Sequence, residues 1–327
     1  MGRKMIILAV LGTGSIGMRH VKVLSLLGAK VIAVPARPER AAELAEQGMI
    51  SARSLEDAKR MGALGVVVAT DTSRHVKDCL EACALDMPVL CEKPLAVSAS
   101  QASELAAVDR SRILVGYTLR FDDGFRIAFD EAAGLGRPHF LVAECRSYLP
   151  SWRKGRDYRG NYCVKPGEGG VLLDLSHEVD YLNHFYGKPT NVSGLSRNLG
   201  SLGIAEEEIA SAVMDYGERG FGVLTVDYLS RQTSRSLTVA SEKGEMRYDF
   251  VGKVIQVFSG GDTRTIAVER DADTIYERED GEFLDILEGG ERKLLASTAE
   301  AVDALTVIDA WKKSSDSGTR VEIKYAS

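Results

Sequence analysis

Residues 5–27 read MIILAVLGTGSIGMRHVKVLSLL, and this stretch decides the fold. Met5–Leu11 is an unbroken apolar run and predicts a buried strand. Ser15–Leu27 has helical periodicity. Between them, Gly12-Thr13-Gly14-Ser15-Ile16-Gly17 is a complete G-x-G-x-x-G. In a strand–turn–helix setting each glycine has a task. Gly12 permits the tight turn, Gly14 lets the backbone approach a pyrophosphate, and Gly17 lets helix and strand pack closely. The free N–H groups of the helix start then face an anion. The alternative, a tight turn that binds nothing, does not call for all three glycines.

Outward from this stretch, short apolar runs alternate with amphipathic ones. Strands are predicted at Lys30–Val34, Leu64–Ala69, Pro88–Cys91 and Ile113–Gly116. Helices are predicted at Glu39–Gln47, Ser54–Met61, Ser73–Ala84 and Ser98–Val108, with Ser54 as an N-cap opposite Asp57. Such alternation implies an α/β Rossmann domain, a doubly wound parallel sheet, over residues 1–120. Past residue 120 the pattern changes. A helix at Phe125–Ala133, a strand at His139–Arg146 and a helical stretch at Gly170–Phe185 precede a series of strands from Asn191 to Val268. Gly217, Gly244 and Gly260-Gly261 punctuate hairpins there. Thr298–Lys312 reads as a late helix and Arg320–Lys324 as a final strand. Residues 121–327 therefore predict an α+β domain on a large, mostly antiparallel open sheet.

Composition narrows the function. The net charge of −6 over 327 residues argues against a nucleic-acid or anionic-membrane surface. No apolar run reaches the ~20 residues of a membrane span. Five cysteines without C-x-x-C spacing fit a reducing, cytoplasmic setting, and the few Cys and His residues lack metal-ligand spacing. At the end of the second strand the chain reads Val34-Pro35-Ala36-Arg37-Pro38, with no carboxylate before Glu39. A carboxylate there would bind a ribose 2′-hydroxyl and repel a 2′-phosphate, whereas Arg37 accommodates one. This favours NADP(H), with NAD(H) as the alternative.

Five further segments carry a resemblance. They are Thr70-Asp71-Thr72-x-x-His75, Cys91-Glu92-Lys93-Pro94-Leu95-Ala96, Gly116-Tyr117-Thr118-Leu119-Arg120-Phe121, Trp152-Arg153, and Gly169-Gly170-x-x-x-Asp174-x-x-His177-x-x-Asp180. Together with the glycine loop they resemble the glucose–fructose oxidoreductase / inositol dehydrogenase / rhizopine-catabolism (Gfo/Idh/MocA) family, as far as about residue 187. The resemblance implies oxidation or reduction of a sugar or cyclitol hydroxyl, and a homodimer or homotetramer built on the open sheet. It implies catalytic roles for Lys93, Asp174 and His177, cofactor contacts at Thr70 and His75, and a place for Glu92 on the nicotinamide side. Two departures are visible. The common family spacing is Asp-x-x-x-His, whereas Asp174 and His177 are three apart, and Thr118 replaces a common Asn.

The residue types suit the chemistry. Oxidising an alcohol removes a proton from oxygen while hydride leaves carbon. His177 is the natural acid/base. Lys93 can stabilise developing alkoxide charge, and Asp174 can orient either group. Arg146, Arg153, Arg156 and Arg159 lie among Tyr148, Trp152, Tyr158 and Tyr162. Arginine forks bind carboxylate or phosphate, and aromatic rings stack on sugars. Trp152, Arg153, Arg156 and Tyr158, with Arg120, thus predict a site for an anionic sugar acid, sugar phosphate or nucleotide sugar. The rivals are a redox-neutral nicotinamide-dependent glycosidase of the same fold and a non-catalytic NADP(H) sensor.

Overall fold

In the computed structural model, which describes residues 5–153, 155, 157–160 and 162–326, the opening stretch forms strand β1 (Ile7–Leu11) and helix α1 (Ser15–Leu26). There follow β2 (Lys30–Val34), α2 (Pro38–Glu46), α3 (Leu55–Arg60), β3 (Gly65–Val68), α4 (His75–Ala84), β4 (Val89–Glu92), α5 (Ala99–Ala102) and β5 (Ile113–Gly116). The Ser54 hydroxyl accepts the Asp57 N–H at 3.1 Å, the expected cap of α3. The helix expected over Ser98–Val108 is shorter. After α5 the chain tightens into a 3₁₀ turn at Ser103–Ala107, where the Ser103 hydroxyl donates to the Ser100 carbonyl and competes with the helix ladder.

The later elements are α6 (Asp123–Gly134), β6 (Pro138–Tyr148), α7 (Val171–Asp174), α8 (His177–Tyr181), β7 (Asn191–Arg197), β8 (Ile209–Asp215), β9 (Phe221–Asp227) and β10 (Leu229–Ser241). Then come β11 (Gly244–Asp249), β12 (Val254–Ser259), β13 (Asp262–Ala267), α9 (Ala272–Leu287), β14 (Ala296–Ser297), α10 (Thr298–Ser317) and β15 (Val321–Glu322).

The chain divides into two units. The first holds residues 1–121 and, from much later in sequence, 271–302. Its sheet runs β14-β5-β4-β3-β1-β2, with every pair parallel except β14 on β5. Strands β1 and β3–β5 are almost wholly buried, as parallel strands covered on both faces must be. The sequence reading places everything after residue 120 in the second domain, so the return of 271–302 differs from it. The cause is α9. Its Ile275, Phe283 and Leu284 pack in one core with Leu8, Val10, Leu24, Leu90 and Leu114. Glu277, Glu279, Asp280 and Glu282 mask that apolar stripe in the sequence, and Glu279 and Asp280 are themselves buried.

The second unit holds residues 122–270 and 303–327. Its nine-stranded sheet runs β13-β12-β11-β10-β6-β9-β8-β7-β15 and is antiparallel except for β6 on β9. At the β12–β13 hairpin Gly260 and Gly261 both take positive φ, as a two-residue turn requires. Helix α6 is capped by Asp122, which accepts the Phe125 N–H at 3.1 Å. One sheet face buries Leu141, Ala143, Ala212 and Leu224, while the alternate positions Val213 and Phe221 are exposed. Among the described residues no helix is long and apolar enough to cross a membrane.

Two glycines of the first turn separate packing from ligand demands. A Cβ on Gly17 would overlap the Gly12 carbonyl oxygen, whereas one on Gly14 would meet nothing within 4 Å. Gly17→Ala is expected to lower unfolding stability by about 1–3 kcal/mol, as overpacked sites do. Gly14→Ala is expected to leave it unchanged. Urea denaturation of both variants checks this contrast.

Candidate functional site

The strand order of the first unit brings several expected residues to one edge of its sheet. Gly12 follows β1, Thr70 follows β3, Lys93 follows β4 and Tyr117 follows β5. In parallel α/β sheets this carboxyl edge is where ligands bind. Gly12 adopts a positive φ of 92°, and a Cβ there would overlap the Ala69 carbonyl at the end of β3. Thr13 and the Ser15–Ile16 start of α1 complete the loop. The open space over Gly14 leaves main chain accessible at the helix N-terminus, so the loop fits a dinucleotide pyrophosphate. Ala36 and Arg37 are exposed just past β2, and Arg37 occupies the N-cap position of α2.

Thr70 and His75 are occupied internally. The Thr70 hydroxyl donates to Asp78 at 2.7 Å. His75 is buried, with Nδ1 at 2.8 Å from the Pro94 carbonyl and Nε2 at 3.0 Å from the Thr70 carbonyl. Burial holds its pKa below the ordinary value, against the pull of those two carbonyls. The ring lies between the ends of β3 and β4, and in its neutral form it donates to one of these two carbonyls. Arg120 is also buried, with its guanidinium 2.9 Å from Glu300, which accepts from Arg292 at 2.8 Å as well. That engagement holds the 292–300 segment and differs from the expected substrate contact.

Glu92 and Lys93 stand at the end of β4, and the Lys93–Pro94 peptide is cis. Behind them lies a cluster that the sequence reading does not include, built from His20 and from α9. His20 sits between two carboxylates, with Nδ1 2.7 Å from Asp280 Oδ1 and Nε2 3.0 Å from Glu92 Oε1. Burial alone would lower the His20 pKa, but Asp280 and then Glu92 outweigh it and hold the ring well above its ordinary value. Burial likewise opposes ionisation of Glu92, but His20 and then Lys93 bring its pKa below the usual carboxylate range. Glu279 is buried beside them, and neither carboxyl oxygen has a hydrogen-bond partner. Burial, followed by the charge of Glu92, pushes its pKa well up. A doubly donating imidazolium has no lone pair for a cation, so the cluster is an ion-pair network. The available signal was His20 three residues beyond Gly17, pointing into the core of an otherwise apolar helix face.

In the second unit Asp174 and His177 do not share one continuous helix, as the sequence reading expects. Helix α7 ends at Asp174 and α8 begins at His177, with Leu175 and Ser176 in a turn between them. Asp174 is buried and accepts a hydrogen bond from the Tyr228 hydroxyl at 3.0 Å. Tyr228, which the sequence reading did not single out, is fully buried, and the Trp152 ring meets it edge-on at 5.5 Å. The Trp152 indole N–H donates to Ser147 at 2.9 Å. His177 is half-buried, and the next residue, Glu178, anchors α8 through an ion pair with Arg235 at 2.7 Å.

The arginine-rich segment is partly committed. Arg146 pairs with Asp227 at 3.0 Å and Arg159 with Asp157 at 3.4 Å. The Tyr158 hydroxyl donates to the Leu202 carbonyl at 2.7 Å. Arg153 is half-buried beside Trp152, and Arg156 lies outside the described residues. Arg231, absent from the sequence reading, stacks on the Tyr148 ring at 3.7 Å. The expected site residues thus divide between the units, with the glycine loop, Glu92 and Lys93 in the first and Asp174, His177, Trp152 and Arg153 in the second.

Comparison with known proteins agrees with this anatomy. Residues 6–117 match the model described as "Oxidoreductase family, NAD-binding Rossmann fold", and residues 131–247 match the "GFO/IDH/MocA C-terminal domain". The chain belongs to this Gfo/Idh/MocA oxidoreductase family, and its first unit is a nicotinamide-dinucleotide-binding fold. Inositol 2-dehydrogenase of Acidiphilium cryptum is 35% identical over 153 residues, covering 43% of this chain and 45% of that protein. The alignments thus span about half the length of the first curated relatives. Among solved structures, levoglucosan dehydrogenase in complex with NADH has a TM-score of 0.85 at 16% identity, covering 99% of this chain and 100% of that one. WlbA dehydrogenase from Bordetella pertussis, in complex with NADH and UDP-GlcNAcA, has a TM-score of 0.82 at 20% identity, covering 99% and 100%.

The buried acid Glu279 makes a pH-dependent demand on folding. The folded chain keeps a proton that the unfolded chain releases above roughly pH 4.3. Stability is therefore lost as pH rises from there through the folded-state pKa. Glu279→Gln removes that loss. Its melting temperature is expected to gain on wild type steadily from pH 5 to pH 8, read by thermal unfolding in matched buffers. A gap that stays constant with pH would contradict a protonated Glu279.

Proposed function

We propose that this chain is a nicotinamide-dependent dehydrogenase or reductase acting on a hydroxyl or keto carbon of a sugar or cyclitol derivative. The observation that carries the reading is Lys93, presented at the carboxyl edge of the sheet that also carries the glycine loop. A sensor needs the loop but has no use for that amine. When bound, the cofactor supplies the hydride acceptor or donor. Lys93 donates a hydrogen bond to the reacting oxygen and stabilises the charge that develops there. His177 takes the hydroxyl proton during oxidation and returns it during reduction. Asp174, held by Tyr228, orients the proton-handling group.

The cofactor is NADP(H) in preference to NAD(H) on this reading. Support comes from Arg37, exposed where β2 ends, with no carboxylate before Glu39. The substrate carries an anionic group. On this reading Arg153 and Arg156, with Trp152 as the stacking surface, meet it, while Arg146 and Arg159 pair with carboxylates. Arg120 is omitted from this set because of its pairing with Glu300. The exposed Val213 and Phe221 on the open sheet face support a homo-oligomer.

The test follows reduced-nicotinamide absorbance with NADP⁺ and NAD⁺, each offered with neutral and anionic sugars, cyclitols and nucleotide sugars. Wild type is expected to reduce cofactor, and Lys93→Met to lose about 10²-fold or more in kcat, the scale of a lost transition-state donor. Arg37→Ala is expected to shift the NADP/NAD preference about tenfold toward NAD. Arg153→Gln with Arg156→Gln is expected to raise KM for an anionic substrate about tenfold, the equivalent of one lost ion contact of about 1.4 kcal/mol. Gly14→Ala is expected to weaken cofactor binding while stability stays constant. Substrate conversion without net cofactor reduction would indicate redox-neutral glycosidase chemistry. Tight cofactor binding with no conversion of any substrate would favour the sensor.

A further inference from the structure

His20 lies one turn beyond the glycine loop on α1, and its side chain is 1% exposed. It is the middle of an unbroken polar line. Asp280 of α9 contacts Nδ1 at 2.7 Å, and Glu92 Oε1 contacts Nε2 at 3.0 Å. The second Glu92 oxygen, Oε2, accepts the Lys93 main-chain N–H at 3.1 Å. We infer that His20 is a positioning residue for Lys93: its imidazolium pins the Glu92 carboxylate, and Glu92 holds the main chain from which the Lys93 amine is presented. This inference rests on the reading of Lys93 as the group that meets the reacting oxygen.

The charge arrangement is specific. Two acceptors face the two ring nitrogens, and only a doubly protonated ring can donate to both. The groups around the ring come from three elements. Glu92 approaches from β4; Asp280, Glu279 and Tyr276 approach from α9, with the Tyr276 ring edge-on at 5.6 Å. Arg19 of α1 stacks on the far side of this group, 4.9 Å from the Tyr276 ring centroid. Asp280 is the largest influence keeping the ring charged against burial. Because α1 also carries the glycine loop at its N-terminus, one rigid helix sets both the pyrophosphate cradle and the clamp on Glu92. A purely structural ion pair would not need its second carboxylate to reach the main chain of the residue bearing the amine.

The experiment compares wild type, His20→Gln, Asp280→Asn and Lys93→Met as full-length protein. Competitive labelling with acetic anhydride, read by mass spectrometry, reports the acylation rate of Lys93 against the exposed Lys30 and Lys243. His20→Gln is expected to change the Lys93 ratio about threefold or more. It is also expected to cut kcat by about 10–100-fold while both KM values stay within about threefold, the pattern of a misplaced catalytic group. Asp280→Asn keeps the shape of the cluster and serves if His20→Gln fails to fold. Without Asp280, the largest influence that keeps the ring charged against burial is gone. Its kcat is then expected to fall about fivefold relative to wild type as pH rises from 6 to 8, the ring being charged at the lower pH. An unchanged Lys93 labelling ratio in the folded variants, with a wild-type pH profile for Asp280→Asn, overturns the inference even if melting temperatures drop. Full turnover by Lys93→Met would overturn the catalytic reading of Lys93 instead, and the labelling ratio would still decide whether His20 positions it.

Discussion

Helix α1 can lie against β1 and β3 because Gly17 has no side chain. A methyl group there would overlap the Gly12 carbonyl, and one on Gly12 would overlap the end of β3. This close approach decides more than the turn. It sends the inner face of α1 into the core, so that Val21 and Leu24 join the sheet residues and His20 arrives where Glu92 ends β4. Loosening that one helix-to-strand contact would therefore reach both the anion cradle and the residues beside Lys93.

A charged ring buried this deeply survives only with its partners in place. Removing a buried ion from water costs several kcal/mol, and losing one partner leaves an uncompensated charge. The network obliges α9 to cover the sheet, because α9 supplies Asp280. The apolar residues Phe283 and Leu284 fix the same helix from its other positions. A segment more than 150 residues beyond β5 in sequence thus belongs to the first unit for two physical reasons, one electrostatic and one hydrophobic. In the second unit an analogous buried pair, Glu178 with Arg235, anchors the short helix that begins at His177.

Much of this was legible in the residues themselves. The glycine spacing, the runs of buried apolar residues and the Gly-Gly hairpin each act through local geometry, and local geometry needs no knowledge of distant chain. The Glu92-Lys93-Pro94 motif and the Asp174–His177 pair were visible as types and spacings. What these residues touch was not. Thr70 and His75 turned inward to Asp78 and main-chain carbonyls, and Arg120 to Glu300, because a polar group next to a strand end bonds to whatever the packed neighbours present.

The sequence by itself determined the fold class, the position of the dinucleotide loop and the antiparallel character of the second sheet, since periodicity and turn chemistry are properties of short stretches. Only the tertiary structure decided that α9 belongs with the first sheet, that the chain breaks its helix between Asp174 and His177, and that Tyr228 meets Asp174. The first and the last of those outcomes depend on a partner far away in sequence. An acidic helix reads as solvent-facing until a buried histidine gives its carboxylate a counter-charge.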